Sequence, residues 1–376
     1  MRPWLGAEEV AAVTEVLASG WVAQGPRVAA FEEAFAASQR SGRAVALSSC
    51  TAALHLALVV AGVRPGDDVV VPSLSFVATA NAVVHAGGRP VFADVDLRTG
   101  NVTAATVAEA LTPRTTAVIA VDQGGVPVDL DAVRAVTDPL GVVVVEDAAC
   151  AAGSTYRGAP VGARAEVAAW SFHPRKILTT GEGGMLTTGR SDWADRARRL
   201  REHAMSVSAA DRHGAVLAPP EEYLEVGFNY RMTDLQAAVG LVQLGRLPEA
   251  VARRRALAAA YAEQLADLPV LRPVADPPWG SGNFQSYWVE VLPGSPVDRD
   301  GLLARLAAAD VSARRGIMAA HRQPAYAGGD HGPVALPVTE RLTDRTLILP
   351  LFHEMTGAEQ DRVVEVLRAA VGGAVR

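Results

Sequence analysis

From residue 44 the chain alternates short apolar runs with longer, Ala-rich stretches of helical period. AVALSS, TAALHLALVVAGV, DDVVVPS, FVATANAVVHAGG and PVFADVD read as strand, helix, strand, helix, strand. The series continues through TAVIAVD, the helical DLDAVRAVTDPLG, the strand VVVVEDA, then VAAWSF and GGMLTT. VVVP and VVVVE are apolar on both faces, as strands must be when helices cover a parallel sheet on both sides. The pattern predicts an α/β fold with a mostly parallel sheet flanked by helices. Residues 193–204 read as helix, 205–225 as an irregular polar stretch, and a long helical region starts near Thr233 and runs toward Leu268, interrupted near Pro248. From about 285 the strand YWVEVL, the helix DRDGLLARLAAAD, the segment VSARRGIM and a last helix near 357–371 form a smaller α+β unit. The expected division is a large domain over 1–247 and a small C-terminal domain over 248–376, with DPPWGSGN at 276–283 as a boundary loop.

Composition narrows the function classes. With 49% hydrophobic and 20% charged residues, the 376-residue chain can bury a substantial core. A net charge of -6 gives no field that would draw it to nucleic acid or an anionic membrane, so anionic ligands must be held by local groups. The two cysteines, Cys50 and Cys150, supply neither a disulfide framework nor a CxxC metal pair, and no metal site is expected. The N-terminal MRPWLGAEEV is amphipathic and acidic, and no run of about 18 apolar residues occurs, so a cytoplasmic location is expected.

One count changes the picture. Lys176 is the only lysine among 35 basic residues, in the segment SFHPRKILTTGEGGM, where it follows a strand and precedes a Gly-rich turn. A lysine amine is nucleophilic only when neutral, so a catalytic one is expected where burial or a nearby positive charge lowers its pKa. Asp147 ends the buried strand VVVVEDA at the carboxyl edge of the sheet, where open α/β folds bind ligands. A buried carboxylate there can hold the proton of a pyridine nitrogen, whereas its neighbour Glu146 points to the other face. SSCTAALHLAL opens a helix with small hydroxyl residues, and the N–H groups of Cys50 and Thr51 can receive a phosphate. Phe76, after another buried strand, can stack on a planar ring.

EDAA, SFHPRK, TTGEGG and GFNYRMTDLQAA, in that order, resemble the motifs of the DegT/StrS-type sugar aminotransferases, and the resemblance covers nearly the whole chain. It implies fold type I of the pyridoxal 5'-phosphate (PLP) enzymes, a PLP cofactor and a homodimer with shared active sites. By this resemblance Lys176 matches the Schiff-base lysine, Asp147 the partner of the pyridine nitrogen, and Phe76 the aromatic stacked on the ring. Thr51 and the N–H of Cys50 match the phosphate turn, and Ser171 a hydroxyl on the same phosphate. Asn229 matches a residue that reaches the phosphate of the neighbouring subunit, and Gln123 one near the cofactor's 3-oxygen. Many members read EDAAH where this chain reads EDAAC, and Cys150 is taken as structural.

Lys176 also argues against the dehydratase branch, whose members carry histidine there. SFHP-K with TTGEGG resembles enzymes that aminate the C4 ketone of nucleotide-linked 4-keto-6-deoxyhexoses, with L-glutamate as donor. Cationic partners for nucleotide and donor are sought among Arg231, Arg314, Arg315 and His321, with Arg231 and His321 preferred, and Trp21 is expected to cover the sugar or nucleotide. Amination at another keto-sugar position or of a cyclitol, or a PLP-binding regulatory protein without turnover, are the competing readings.

Overall fold

The computed structural model describes residues 3–206, 221–328 and 334–372. Its centre is a seven-stranded sheet of β1 (Arg43–Leu47), β2 (Asp68–Pro72), β3 (Arg89–Ala93), β4 (Thr115–Val121), β5 (Val143–Asp147), β8 (Val167–Ser171) and β9 (Gly184–Thr188), in the order β1-β9-β8-β5-β4-β2-β3. The short β6 (Thr155–Tyr156) and β7 (Ala159–Pro160) form a hairpin between β5 and β8. β3, β2, β4, β5 and β8 run parallel, and β9 is antiparallel to both β8 and β1. The mostly parallel sheet read from the apolar pattern is therefore present, with one reversed strand.

Register decides where chemistry can gather. Asp147 lies level with Val121 of β4 and with Ala169, two residues before the end of β8. Because β9 is reversed, its first residue, Gly184, pairs with both Ser171 and Leu47, the last residues of β8 and β1. The ends of β1, β4, β5 and β8 and the start of β9 thus share one edge of the sheet.

Buried side chains fill both faces. Helices α1 (Ala7–Ser19), α2 (Pro26–Ser38), α3 (Cys50–Val60) and α4 (Ala78–His85) open the chain. Helix α3 is apolar around nearly its whole circumference, with Leu54, Leu56 and Leu58 at most 1% exposed, because it is sandwiched between the sheet and its neighbouring helices. On the other face, Phe35 of α2 meets Trp170 and Phe172 edge-on and Phe31 meets Phe172 at a tilt, at centroid distances of 5.2 to 5.3 Å.

One buried carboxylate fastens the two ends of the large unit. Asp234 opens the long helix Asp234–Gln264 and is 1% exposed. Its side chain accepts from the N–H groups of Gly25, Arg27 and Val28 at 2.8, 3.0 and 2.9 Å, occupying the start of α2, and its own N–H donates to the Ala23 carbonyl at 2.9 Å. The long helix is itself started by Thr233, whose hydroxyl accepts from the Gln236 N–H at 3.2 Å while the Gln236 side chain accepts from the Thr233 N–H at 2.9 Å.

Two expectations change here. The long helix carries Pro248 in its interior with no interruption, so the expected boundary at 247/248 falls inside one helix that serves both units. Tertiary packing explains this: Leu247, Ala250, Arg254 and Leu257 are all buried against the rest of the protein and offset the backbone hydrogen bond that proline cannot make. The expected boundary loop is not free either, since β11 (Gly280–Ser281) pairs with β6 and pins the C-terminal unit to the large sheet's side. That unit is built on a four-stranded antiparallel sheet, β10 (Leu271–Pro273), β12 (Tyr287–Val291), β14 (Thr346–Leu349) and β13 (Arg314–Arg315), with the last helix at Gly357–Gly372.

Replacing Asp234 by alanine strands three N–H donors, that of the buried Val28 among them, and should lower the unfolding free energy by about 2–4 kcal/mol. Urea denaturation followed by far-UV circular dichroism measures this, and a loss below about 0.5 kcal/mol would contradict the role given to Asp234.

Candidate active site

Asp147 ends β5 and is 4% exposed. Its Oδ2 accepts from the Thr79 hydroxyl at 2.9 Å, Thr79 is within 2.7 Å of the Ser75 hydroxyl, and Oδ1 accepts from the Ala149 N–H at 3.2 Å. Burial pushes the Asp147 carboxyl above the usual carboxylate range, against the pull of Thr79, Ala149 and Lys176. Glu146 points to the opposite face as expected, where its Oε2 accepts from the Gly162 N–H at 2.9 Å.

Lys176 sits in the loop between β8 and β9, its N–H donating to the His173 carbonyl at 2.8 Å. Its Nζ donates to the Cys150 Sγ at 3.0 Å. Neighbouring groups act on this amine in the opposite sense to the one expected from its catalytic requirement. Burial alone pulls its pKa down, but the thiol of Cys150, then Cys50 and Asp147, outweigh that and hold it above the ordinary lysine value. The amine is therefore an ammonium at neutral pH, in a pocket walled by an acid and two thiols. Cys50 is pushed well up, first by burial and then by Asp147. Cys150, expected to be structural, is the hydrogen-bond partner of the lysine amine.

The turn into α3 presents backbone N–H groups at the same edge of the sheet. Ser49 caps α3 by accepting from the Ala52 N–H at 3.1 Å, and the N–H groups of Cys50 and Thr51, in the first turn, have no intrahelical acceptor by position. A Cβ at Gly184 would lie 2.3 Å from the Ser49 carbonyl carbon, so only glycine lets this turn press against the start of β9. Ser171, the last residue of β8, is half-buried beside it. Phe76 is 66% exposed in the loop after β2, a large ring without cover.

The other expected residues divide between the site and its supports. The Gln123 side-chain N–H donates to the Leu74 carbonyl and its backbone N–H to Asn101 Oδ1 at 2.9 Å. Asn229 is exposed on a segment that runs beside β1, where the Tyr230 carbonyl accepts from the Ser48 N–H at 2.8 Å and Arg231 bridges to Leu47. The Trp21 indole donates to the Gln24 carbonyl at 3.1 Å and packs on Gly25, whose missing Cβ makes room for the ring. His321 has a neighbour at each ring nitrogen. Its Nδ1 is 2.6 Å from the Ser73 hydroxyl and its Nε2 lies 3.5 Å from Glu340, so it fastens the small unit to the end of β2. Arg315 is exposed and paired with Asp300, while Arg314 reaches toward the site, with its guanidinium 3.5 Å from Ser286 Oγ and close enough to Arg175 and Cys150 to feel both.

Some residues of the site carry little or no signal in the sequence. Thr79 stands four residues after Ser75, one helical turn, which is a legible spacing. Gln285, Asn283 and Arg254 come from the C-terminal side and carry no motif, yet they contact the Cys150 and Lys176 loops directly or through one another.

Residues 3–368 match the DegT/DnrJ/EryC1/StrS aminotransferase family. The chain belongs to this family. It is similar along its whole length to the aminotransferase TlmJ from Streptoalloteichus hindustanus, at 39% identity over 100% of this chain and 99% of that one, with a TM-score of 0.91. DesV from S. venezuelae is 34% identical over 98% and 95% of the two chains, with a TM-score of 0.89. Spr1654 from Streptococcus pneumoniae, 26% identical over 100% of this chain and 98% of that one with a TM-score of 0.92, is solved in its PLP form, and a PMP form of the same protein is solved as well. The protein is thus a PLP-dependent sugar aminotransferase, an enzyme, with the aminotransferase fold. The residues at the sheet edge fit PLP: a buried carboxylate, an amine, free helix N–H groups and an exposed ring converge there. Among the described residues no group of three or more His, Cys, Asp or Glu is placed to hold a metal ion, and no helix is long and apolar enough to cross a membrane.

Because the chain has one lysine, reductive ¹³C-methylation of the cofactor-free protein gives one side-chain amine signal. Its midpoint should lie above that of the same labelled chain unfolded in urea, and Asp147→Asn should move it down. A folded-state midpoint below the unfolded one would contradict the charge environment described.

Proposed function

We propose that this enzyme moves an amino group from L-glutamate to the C4 ketone of a nucleotide-linked 4-keto-6-deoxyhexose, giving a 4-amino-4,6-dideoxy sugar nucleotide. The observation that carries the transamination reading is the convergence of Asp147 and the sole lysine, Lys176, at the carboxyl edge of the sheet. The C4 assignment is supported by the SFHP-K and TTGEGG segments flanking that lysine.

PLP, when bound, supplies an aldehyde that takes up amines and a ring that accepts the electron pair left on the substrate carbon. Asp147, buried at the end of β5, would hold a proton at the ring nitrogen through a charge-assisted hydrogen bond. Thr79 and Ala149 fix the carboxylate plane for this. Lys176 Nζ, on giving up its own proton, would hold the cofactor covalently, and as a free amine it would move the proton that leaves the substrate carbon. The N–H groups of Cys50 and Thr51, with Ser171, would hold the phosphate, Phe76 would cover the ring, and Gln123 would serve its 3-oxygen. In a protein of net charge -6, the anionic donor and nucleotide need local cations, and Arg175, Arg231 and Arg314 supply them. Trp21 covers the sugar or nucleotide.

The functional unit in this reading is a homodimer in which Asn229 serves the phosphate of the second copy. Exposed Asn229, together with the exposed Tyr223, Leu224 and Val226 nearby in sequence, supports a surface that is covered by another chain.

Incubation with TDP-4-keto-6-deoxyglucose and L-glutamate should yield the 4-amino sugar nucleotide by mass spectrometry and NMR. Lys176→Ala should abolish it and Asp147→Asn should lower kcat by about 100-fold or more. An absence of amino sugar with the parent enzyme overturns the substrate assignment. Mixing inactive Lys176→Ala with inactive Asn229→Asp under subunit exchange should restore up to about a quarter of the parent rate, since half the dimers then hold one intact site. No recovery in a mixture shown to exchange subunits would refute the shared site.

A further inference from the structure

The side chain of Gln285 brackets Lys176. Its Oε1 accepts from the Ile177 N–H at 2.7 Å and its Nε2 donates to the Arg175 carbonyl at 2.7 Å, so one side-chain amide closes on the peptide groups on either side of the lysine. With the Lys176 N–H bonded to the His173 carbonyl, the backbone of the lysine is held on all three sides.

Gln285 is itself locked. It is 3% exposed, and its N–H donates to Asn283 Oδ1 at 2.7 Å. The same Asn283 donates through Nδ2 to the carbonyls of Cys150 and Ala152, both at 2.8 Å, so one short segment grips the loop after Asp147 and the loop carrying Lys176 together. Asn283 leaves no room at Gly125, where a Cβ would lie 1.9 Å from its Oδ1. Beneath, the buried guanidinium of Arg254 on the long helix donates to the carbonyls of Phe284, at 3.0 and 2.7 Å, and of Gln285, at 2.9 Å, and to that of Leu351 at 3.1 Å. These four bonds to carbonyl groups compensate the cation, and burial lowers its pKa to about 10. A buried charge held by carbonyl groups costs more to keep than a neutral side chain, and what it fixes here is the Phe284–Gln285 turn, where Phe284 adopts a positive φ of 50°.

We propose that Gln285 is a positioning residue for Lys176, setting the reach of Nζ between substrate carbon and cofactor, and that it ties this setting to the placement of the C-terminal unit. The inference rests on Lys176 being the PLP-binding lysine. Displacement of the lysine by a fraction of an ångström leaves substrate binding intact and slows the proton transfer it performs.

The test uses Gln285→Met, which keeps the volume and removes both bonds, and Gln285→Leu, which has neither donor nor acceptor and removes both bonds with a shorter side chain. Three readouts are taken on each full-length protein. Borohydride trapping of the PLP-loaded parent with peptide mapping checks the underlying reading, and a label absent from Lys176 overturns that reading and the inference with it. Hydrogen–deuterium exchange of the cofactor-free proteins should show the peptide containing Ile177 exchanging at least about 10-fold faster in both variants, with the core strands unchanged. Steady-state kinetics should show kcat reduced about 10- to 100-fold with KM within about 3-fold. With Lys176 labelled in the parent, unchanged exchange at Ile177, or kcat within about 2-fold of the parent in either folded variant, overturns the positioning role alone. A Gln285→Met protein that does not fold leaves the decision to Gln285→Leu on the same criteria.

Discussion

The organising constraint is the burial of opposite charges at the end of β5. A carboxylate taken out of water costs several kcal/mol unless it is bonded and paired. Asp147 meets this with a hydroxyl, a peptide N–H and the nearby ammonium of Lys176. The sheet makes the arrangement possible because reversing β9 brings Gly184, Ser171 and Leu47 to the same edge, and the turn at Ser49 then lies against β9 with no space for a side chain. Each group that reads as cofactor-binding is therefore fixed by backbone geometry before any side chain is chosen.

Much of this was legible from residues alone because parallel strands announce themselves. Five consecutive apolar residues cannot be half-exposed, and the residues just after such a run lie at the carboxyl edge. Asp147, Phe76 and the Cys50–Thr51 turn are all found by that rule, and Lys176 by its singularity. The helix through Pro248 was not legible, since local propensity favours a break there and only the packing of Leu247, Arg254 and Leu257 overrules it. Nor was the bracket around the lysine, because Gln285 lies 109 positions downstream of Lys176 and a lone glutamine carries no spacing signal.

Histidine and arginine illustrate a further limit. His321 looked like a free donor because imidazole suits ligand binding, but its neighbours Ser73 and Glu340 come from distant parts of the chain and occupy both nitrogens. Arg314 and Arg315 are indistinguishable in sequence, yet adjacent strand positions face opposite ways, so one pairs with Asp300 and the other turns inward. Charge type was readable; orientation depended on which strand each residue joined.

The bare ring of Phe76 carries a thermodynamic consequence of its own. Two-thirds of a phenyl group in water, next in sequence to the Ser75 that bonds Thr79 beside Asp147, is a surface that folding leaves unfinished. If the cofactor covers that ring in the native chain alone, its supply would enter the folding equilibrium by mass action, and the cofactor-free polypeptide would be the softer, stickier form.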